Sequence, residues 1–461
     1  MSAEGRAAAQ QKMRDRGVHQ AAIDVFLHYY EQLESGATGL IHESDIRPLE
    51  DPPRLAHLPG DEAKDRAALA ATTVIKLNGG LGTSMGMAGP KSLLEVREGL
   101  TFLDIIARQV LAARQRWDVS LPVLFMNSFR TRDETLEALA AYDDLAVEGL
   151  PMDFMQHREP KLLADDLTPV DWPREPELEW CPPGHGDLYT ALSASGLLQL
   201  LRDAGYRYAF VSNSDNLRAT VDARVAGWFA SSGAPFASEI TLRTPADRKG
   251  GHLAVRVDDG RLVLRETAQT SPEDADALAD ISRHRYCNTN NLWLDLDALA
   301  TKLEETQGFL GLPLIKNEKT VDPGDRSSPK VIQIESAMGA AVEVFEGSQA
   351  LEVERTRFLP VKSTNDLLGL RSDVYQLADG CELRYADGVD EPPLVDLDDD
   401  FYKIVGDFDK RFPHGPPSLR DARSFTVEGD WTFGPDVVVR GDVTVDTEGS
   451  PGTISATTLS G

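Results

Sequence analysis

The chain has 461 residues, 41% hydrophobic and 26% charged, proportions of a soluble globular protein with room for about three domains. Acids outnumber bases, 75 against 47, for a net charge of −28; such a surface repels nucleic-acid phosphates and anionic lipids, so neither partner is expected. An anionic substrate must therefore be met by a local basic patch. No run reaches the ~20 apolar residues of a membrane span. The first residues lack an apolar signal core, and three scattered cysteines (Cys181, Cys287, Cys381) argue against disulfides or structural zinc. A reducing, cytoplasmic setting is expected.

In chain order, the first 35 residues read as helix, with Ile23, Phe26, Leu27, Tyr30 and Leu33 on one face. Gly36 and Gly39 stop it, and a Pro-punctuated acidic connector follows (Pro48 to Pro59). Residues 1–70 are thus a helical segment and connector. From Thr72 a β-branched run, TTVIKLN, leads into a glycine-rich loop. Helical periodicity returns over Thr101–Trp117, then a strand at 121–127, a helix at 131–141 and an apolar strand at 206–216. This alternation predicts an α/β fold, a doubly wound, mostly parallel, Rossmann-like sheet, over residues 71–400. Ligands of such sheets sit beyond the carboxyl ends of the strands, where Asn78-Gly79-Gly80 and Asn213-Ser214-Asp215 both stand. The acidic run at 396–400 reads as a solvated linker. Residues 401–461 then pass through a Pro-rich piece into short, evenly spaced β segments, which predict a small β-solenoid cap.

The loop LNGGLGTSMGMAGPKS holds Gly79, Gly80, Gly82, Gly86 and Gly89, five glycines in eleven positions, ahead of Lys91. Glycines let backbone N–H groups approach phosphate oxygens. Pro90 between Gly89 and Lys91 breaks a Walker P-loop, and G-x-G-x-x-G fits nowhere in the run. The spacing still reads as a nucleotide-phosphate loop.

The loop resembles the signature of the UTP–glucose-1-phosphate uridylyltransferases, the eukaryotic-like UDP-glucose pyrophosphorylases. Further motifs follow in the family's order: MQHREPKL (155–162), PPGHGDLY (182–189), VSNSDNL (211–217), DRKGGHL (247–253), ETAQT (266–270), NTNNLWLDL (288–296), KTVDPGD with IQIESAMGAA (319–341) and RFLPVKSTNDLL (357–368). FYKIVGDFDKRFPHGPPSL and the β-rich tail look like the family's cap, a left-handed β-helix, so the likeness covers about residues 70–461.

The resemblance implies uridylyl transfer from UTP to glucose 1-phosphate with Mg2+, by in-line displacement that relies on positioning and electrostatics. It implies Asp215 as metal ligand and Lys91 and Lys362 as phosphate cations. Leu77, Gly79, Gly80 and Gln156 would meet the uracil, with Gly184 close against the ring for want of a Cβ. His185 would lie near the sugar phosphate, and Asn213, Gly251, Glu266 and Asn290 (or Asn291) would meet sugar hydroxyls. Trp293 suits the core better than a ligand. Two departures stand out. Met87-Ala88 replaces a common Cys-Lys, removing one positive charge, and Arg218 replaces a small residue, with altered contacts near the metal expected. Rival readings are the same transfer to a galactose- or N-acetylhexosamine-type 1-phosphate, and a silent nucleotide-sugar sensor. Keeping Asp215, Lys91 and Lys362 together speaks against the sensor. The cap's open strand edges offer a surface for a homo-oligomer.

Overall fold

The structure is a computed structural model that describes residues 2–248, 250–446 and 452–461. Ten strands form the central sheet: Ile46–Pro48 (β1), Thr72–Asn78 (β2), Val123–Asn127 (β3), Asp153–Met155 (β4), Tyr208–Asn213 (β5), Phe236–Leu242 (β6), His252–Arg256 (β7), Leu262–Arg265 (β8), Tyr286–Asp295 (β9) and Gln349–Glu352 (β10). The run β4-β3-β2-β5 is parallel. Beyond β5 the sheet continues antiparallel through β9 to β6 and β7, and only β10 on β6 is parallel again. The parallel sheet expected from the alternation is thus the half that carries the glycine loop. It passes into an antiparallel half, so the whole is a mixed α/β fold.

Strand β2 is buried on both faces because alternate side chains enter two separate cores. Val74 joins Phe125, Phe210 and Trp293 on one side, while Ile75 joins Leu124, Met126 and Val211 on the other. The helix Phe102–Trp117 covers the first face with Leu103, Ile106 and Val110, and Thr101 and Asp104 cap its start reciprocally. The helix Asp187–Ala194 covers the second with Leu188 and Leu192.

Two terminal regions differ from expectation. The leading helix is two, Ser2–Asp15 and Gln20–Glu34, parted at Gly17, whose φ of 69° favours glycine. Both pack on Trp180, Leu314 and Ile334 in a core of their own. The acidic run is not a solvated linker: Leu394–Leu397 is a strand paired with Ser424–Val427, and Asp398 caps the next helix. Its backbone is taken up by a sheet, so only its charges face water.

In the tail, Leu394–Leu397, Ser418–Val427, Val437–Val445 and Thr457–Ser460 pair in parallel, and Trp431–Phe433 pairs in parallel with Gly452–Ile454. Parallel neighbours joined by short connections are what stacked coils require. Leu419, Phe425 and Phe433 belong to the same apolar cluster as Val74. Ile404 packs where a Cβ on Gly86 would come within 2.8 Å of it, so the tail's approach helix touches the glycine loop.

Candidate functional site

A cavity of about 280 Å³ opens at the carboxyl ends of β2 and β5, lined by Leu77, Asn78, Gly79, Gly80, Lys91, Ser92, Gln156, Pro182, Gly184, His185, Asn213, Ser214 and Asp215. Nine of the expected residues therefore meet in one place. Strand ends deliver them because parallel β2 and β5 terminate in register, Leu77 opposite Asn213. The Ser214 hydroxyl fastens the two ends by donating to the Leu77 carbonyl at 2.6 Å. Asn78 is spent on structure, its amide donating to Asn127 and Thr135 in the next elements.

Gly79 has to be a glycine here, since a Cβ would lie 2.7 Å from the Gln156 amide. The amide thus lies flat on the loop backbone at the cavity wall. Gly184 is explained differently from expectation. Its φ is 76°, and a Cβ would meet the Ser336 carbonyl oxygen at 2.5 Å, so backbone packing by itself demands glycine there. Gly184 still lines the cavity.

His185 is half-buried at the cavity wall, and loss of solvent around its ring pushes it down to about 4, so it is neutral near pH 7. Its Nδ1 accepts the Met338 N–H at 2.9 Å, which leaves the ring proton on Nε2. It can therefore offer a substrate a hydrogen bond but no positive charge.

Charge enters through Lys91 and Asp215. The Lys91 ammonium donates to Asp215 Oδ2 at 2.7 Å and also to the Val361 carbonyl. Asp215 Oδ1 is buried with no hydrogen-bond partner. A carboxylate oxygen left without a donor beside a cavity is the feature a hard cation uses. Among the described residues no three His, Cys, Asp or Glu side chains cluster to hold a metal unaided. Magnesium suits such a place, because it is commonly held by one or two carboxylates and completed by substrate phosphates and water.

The remaining expected residues form a second group outside the cavity's lining. A Cβ on Gly251 would touch the Glu266 carboxylate at 2.4 Å. Burial raises the Glu266 carboxyl above its ordinary range, and the Lys362 charge partly offsets this. Asn288 ties Asn290 to the group: its amide donates to Asn290 Oδ1, and its N–H to the Gly251 carbonyl. The chain joins the groups through Val361, whose N–H donates to the Asp215 carbonyl at 3.1 Å, one residue before Lys362. Asn291 is fully buried and donates to Glu239, whereas Asn290 is half-buried. Trp293 is core, its indole N–H also donating to Glu239.

Arg218 does not reach the metal side. Its guanidinium turns to the Thr356 and Leu383 carbonyls and lies over the Tyr385 ring. Those carbonyls need donors, and the long side chain supplies them. Sequence reading missed Ser92, buried at the cavity wall, and Glu239, whose only signal is an acid within the buried strand FASEITL.

A family profile described as UTP–glucose-1-phosphate uridylyltransferase matches residues 23–440. The chain is 40% identical over 393 residues to the UTP–glucose-1-phosphate uridylyltransferase of Hordeum vulgare, spanning 85% of this chain and 80% of the relative. It is 40% identical over 378 residues to that of Saccharomyces cerevisiae, spanning 82% and 74%. Among solved structures it is similar to a UDP-glucose phosphorylase of Trypanosoma brucei, with TM-score 0.91 and 42% identity over 99% of this chain and 100% of that one. A mutant UDP-glucose pyrophosphorylase of Leishmania major in complex with UDP-glucose superposes with TM-score 0.90 and 42% identity over 99% of both chains.

Proposed function

The chain belongs to the UTP–glucose-1-phosphate uridylyltransferase family, and we propose that it makes UDP-glucose and pyrophosphate by direct attack of glucose 1-phosphate on the α-phosphorus of UTP. The observation that carries the reading is one cavity that gathers a glycine-loop backbone, Gln156, a lysine and a half-satisfied carboxylate at two adjoining strand ends. The backbone of Leu77, Gly79 and Gly80 and the Gln156 amide read the uracil edge. Lys91 and Lys362 hold the phosphates and offset the repulsion of a chain with net charge −28. His185 donates its Nε2 proton as a hydrogen bond to a sugar-phosphate oxygen, while Asn213, Gly251, Glu266 and Asn290 meet the sugar hydroxyls. Asp215 would hold Mg2+, which when bound draws negative charge from the phosphoryl oxygens. Nothing in this scheme needs a nucleophilic side chain, since oriented reactants and fixed charges carry the displacement.

The same reading treats residues 1–70, 71–400 and 401–461 as helical segment, catalytic domain and cap. The cap is taken as a left-handed β-helix able to pair with a second copy, and the protein as cytoplasmic. No helix among the described residues is long and apolar enough to cross a membrane. Pyrophosphate release measured for each nucleoside triphosphate against glucose, galactose and N-acetylhexosamine 1-phosphates tests the proposal. UTP with glucose 1-phosphate should lead, with activity lost to a chelator and restored by Mg2+. Equal turnover of ATP and UTP would overturn the base assignment.

A further inference from the structure

Beneath the cavity lies a buried polar network that the proposed chemistry does not use. Glu239 on β6 is fully buried and accepts four hydrogen bonds. Arg357 supplies two, from Nε and Nη2, each at 2.9 Å. Trp293 and Asn291 on β9 supply the others, at 3.0 and 3.1 Å. The Arg357 guanidinium also donates to the Thr220 carbonyl. Its own carbonyl accepts from the amide of Asn216, whose Oδ1 takes the Leu359 N–H in return. Asn216 and Pro360 bridge, and Val361 donates to the Asp215 carbonyl. The two loops 215–220 and 355–361 are therefore stitched side by side, and one guanidinium planted on a buried carboxylate fixes where they sit.

Asp215 opens the first loop, and Lys362 directly follows the second. Asn291, held by the same carboxylate, directly follows Asn290. Three of the segments that bring charge or sugar contacts, those of Asp215, Lys362 and Asn290, thus run through Glu239. By contrast, Gly79 and Gly80 follow β2 and Gln156 follows β4, outside the network.

We propose that Arg357 and Glu239 are positioning residues for the transfer: through Asn216 they set the placement of Asp215 and Lys362 on the reacting phosphates, and they leave uracil recognition alone. The inference rests on the uridylyl-transfer reading. Misplacement by about 1 Å can cost on the order of 100-fold in rate. Loss of contacts made only in the transition state lowers kcat rather than raising KM.

Arg357→Lys keeps the charge beside Glu239 but loses the two-pronged contact and the Thr220 bond. The paired Glu239→Gln/Arg357→Met variant removes both charges; the new amide oxygen still accepts from Trp293, and its NH2 can donate to Asn291 Oδ1, which has no partner in the parent. For each, the unfolding midpoint, kcat and the KM of each substrate are measured alongside the unaltered protein. The expected result is a folded protein with kcat lowered about 10- to 100-fold and KM for UTP within about threefold of the starting value. A folded Arg357→Lys or paired variant with undiminished kcat overturns the inference. So does a rate loss that matches the fraction unfolded, a raised KM for UTP at unchanged kcat, or failure of both variants to fold. If the unaltered protein forms no UDP-glucose, the functional reading falls and this inference with it; an active parent with an equally active variant removes this inference alone.

Discussion

The mouth of the cavity and the floor beneath it each hold a carboxylate, and the two are treated in opposite ways. Glu239 on the floor takes four donors, whereas Asp215 at the mouth has one oxygen paired with Lys91 and the other with no partner. Folding satisfies buried polar groups nearly everywhere, so the saturated acid marks what holds the shape. The unsatisfied one marks where something from outside completes the arrangement. Stability should therefore depend most on the floor, whose effect on rate is indirect, while the mouth meets the substrate directly.

The largest expected effect breaks the floor. Glu239→Gln keeps the side chain's size but leaves Arg357, largely enclosed, with only the more distant Asp222 carboxylate at 3.9 Å as counter-charge. Removing one partner of such a pair costs about 3–5 kcal/mol, so chemical denaturation should show a loss of that order. A loss below about 1 kcal/mol, the usual worth of an exposed pair, would place Glu239 with the mouth instead.

Asp215→Asn comes next and should do the reverse. Its carboxylate is partly open to the cavity, with a side-chain exposure of 21%, so the unfolding midpoint should barely move. Activity should fall about 10²–10³-fold, as when one preorganised electrostatic contact is lost, and saturating substrate should not restore it. Near-normal kcat at ordinary Mg2+ with an intact fold would remove Asp215 from the metal role.

The mouth was far more legible in the sequence than the floor, for a physical reason. Phosphates and bases are met by local runs, so the glycine loop, Asp215 and Gln156 advertise themselves in consecutive residues. Lys91 and Asp215 are 124 residues apart, yet Lys91 closes the glycine loop that follows β2 and Asp215 lies just past β5, and the parallel register of these strands brings them together. The floor is built from single residues of unrelated segments: Glu239, Asn291, Trp293 and Arg357. Nothing local distinguishes such an acid from a surface one until the sheet is closed around it. Asn290 and Asn291 could not be separated in sequence because the choice depends on which face each takes, and β9 shifts register against β6 there, between Glu239 and Ile240. Arg218 misled because its partners, the carbonyls of Thr356 and Leu383, lie far along the chain. The acidic run misled because charge pattern alone does not show that Leu394 and Leu397 flank a paired strand.

A smaller effect sharpens the mouth itself. In Gly79→Ala the added methyl would meet the Gln156 amide at 2.7 Å, so the amide must swing off the loop. Losing a hydrogen-bonding partner for a buried polar group costs about 1–3 kcal/mol, which is roughly one to two orders of magnitude in kcat/KM for UTP. Gln156→Ala should cost a similar amount, and the two changes together should cost less than their sum, because both remove one contact. Strict additivity would show that Gly79 and Gln156 act on UTP separately.

The smallest effect returns to the floor and depends on pH. Lys76 on β2 is buried, and its ammonium donates to the Ser212 hydroxyl and the Ala219 carbonyl, both at 2.8 Å. Burial first, and then the charge of Arg357, bring it from 10.5 down to about 7, with Glu239 opposing. Below about pH 7 lysine is charged in both folded and unfolded chains, so the cost of burying that charge is felt in full. Between about 7 and 10.5 the unfolded chain still binds a proton that the folded one has released, so stability from this group rises with pH. Lys76→Met has no such dependence, although it leaves Ser212 and Ala219 without a donor at every pH. The unfolding midpoint of Lys76→Met relative to the parent should therefore be most favourable near pH 6 and decline toward pH 9. The slope cannot exceed about 1.4 kcal/mol per pH unit. Parallel unfolding curves for the two proteins at pH 6, 7.5 and 9 read this directly, and a constant offset would mean that Lys76 stays charged across the range, paired with the floor more closely than its two neutral acceptors imply.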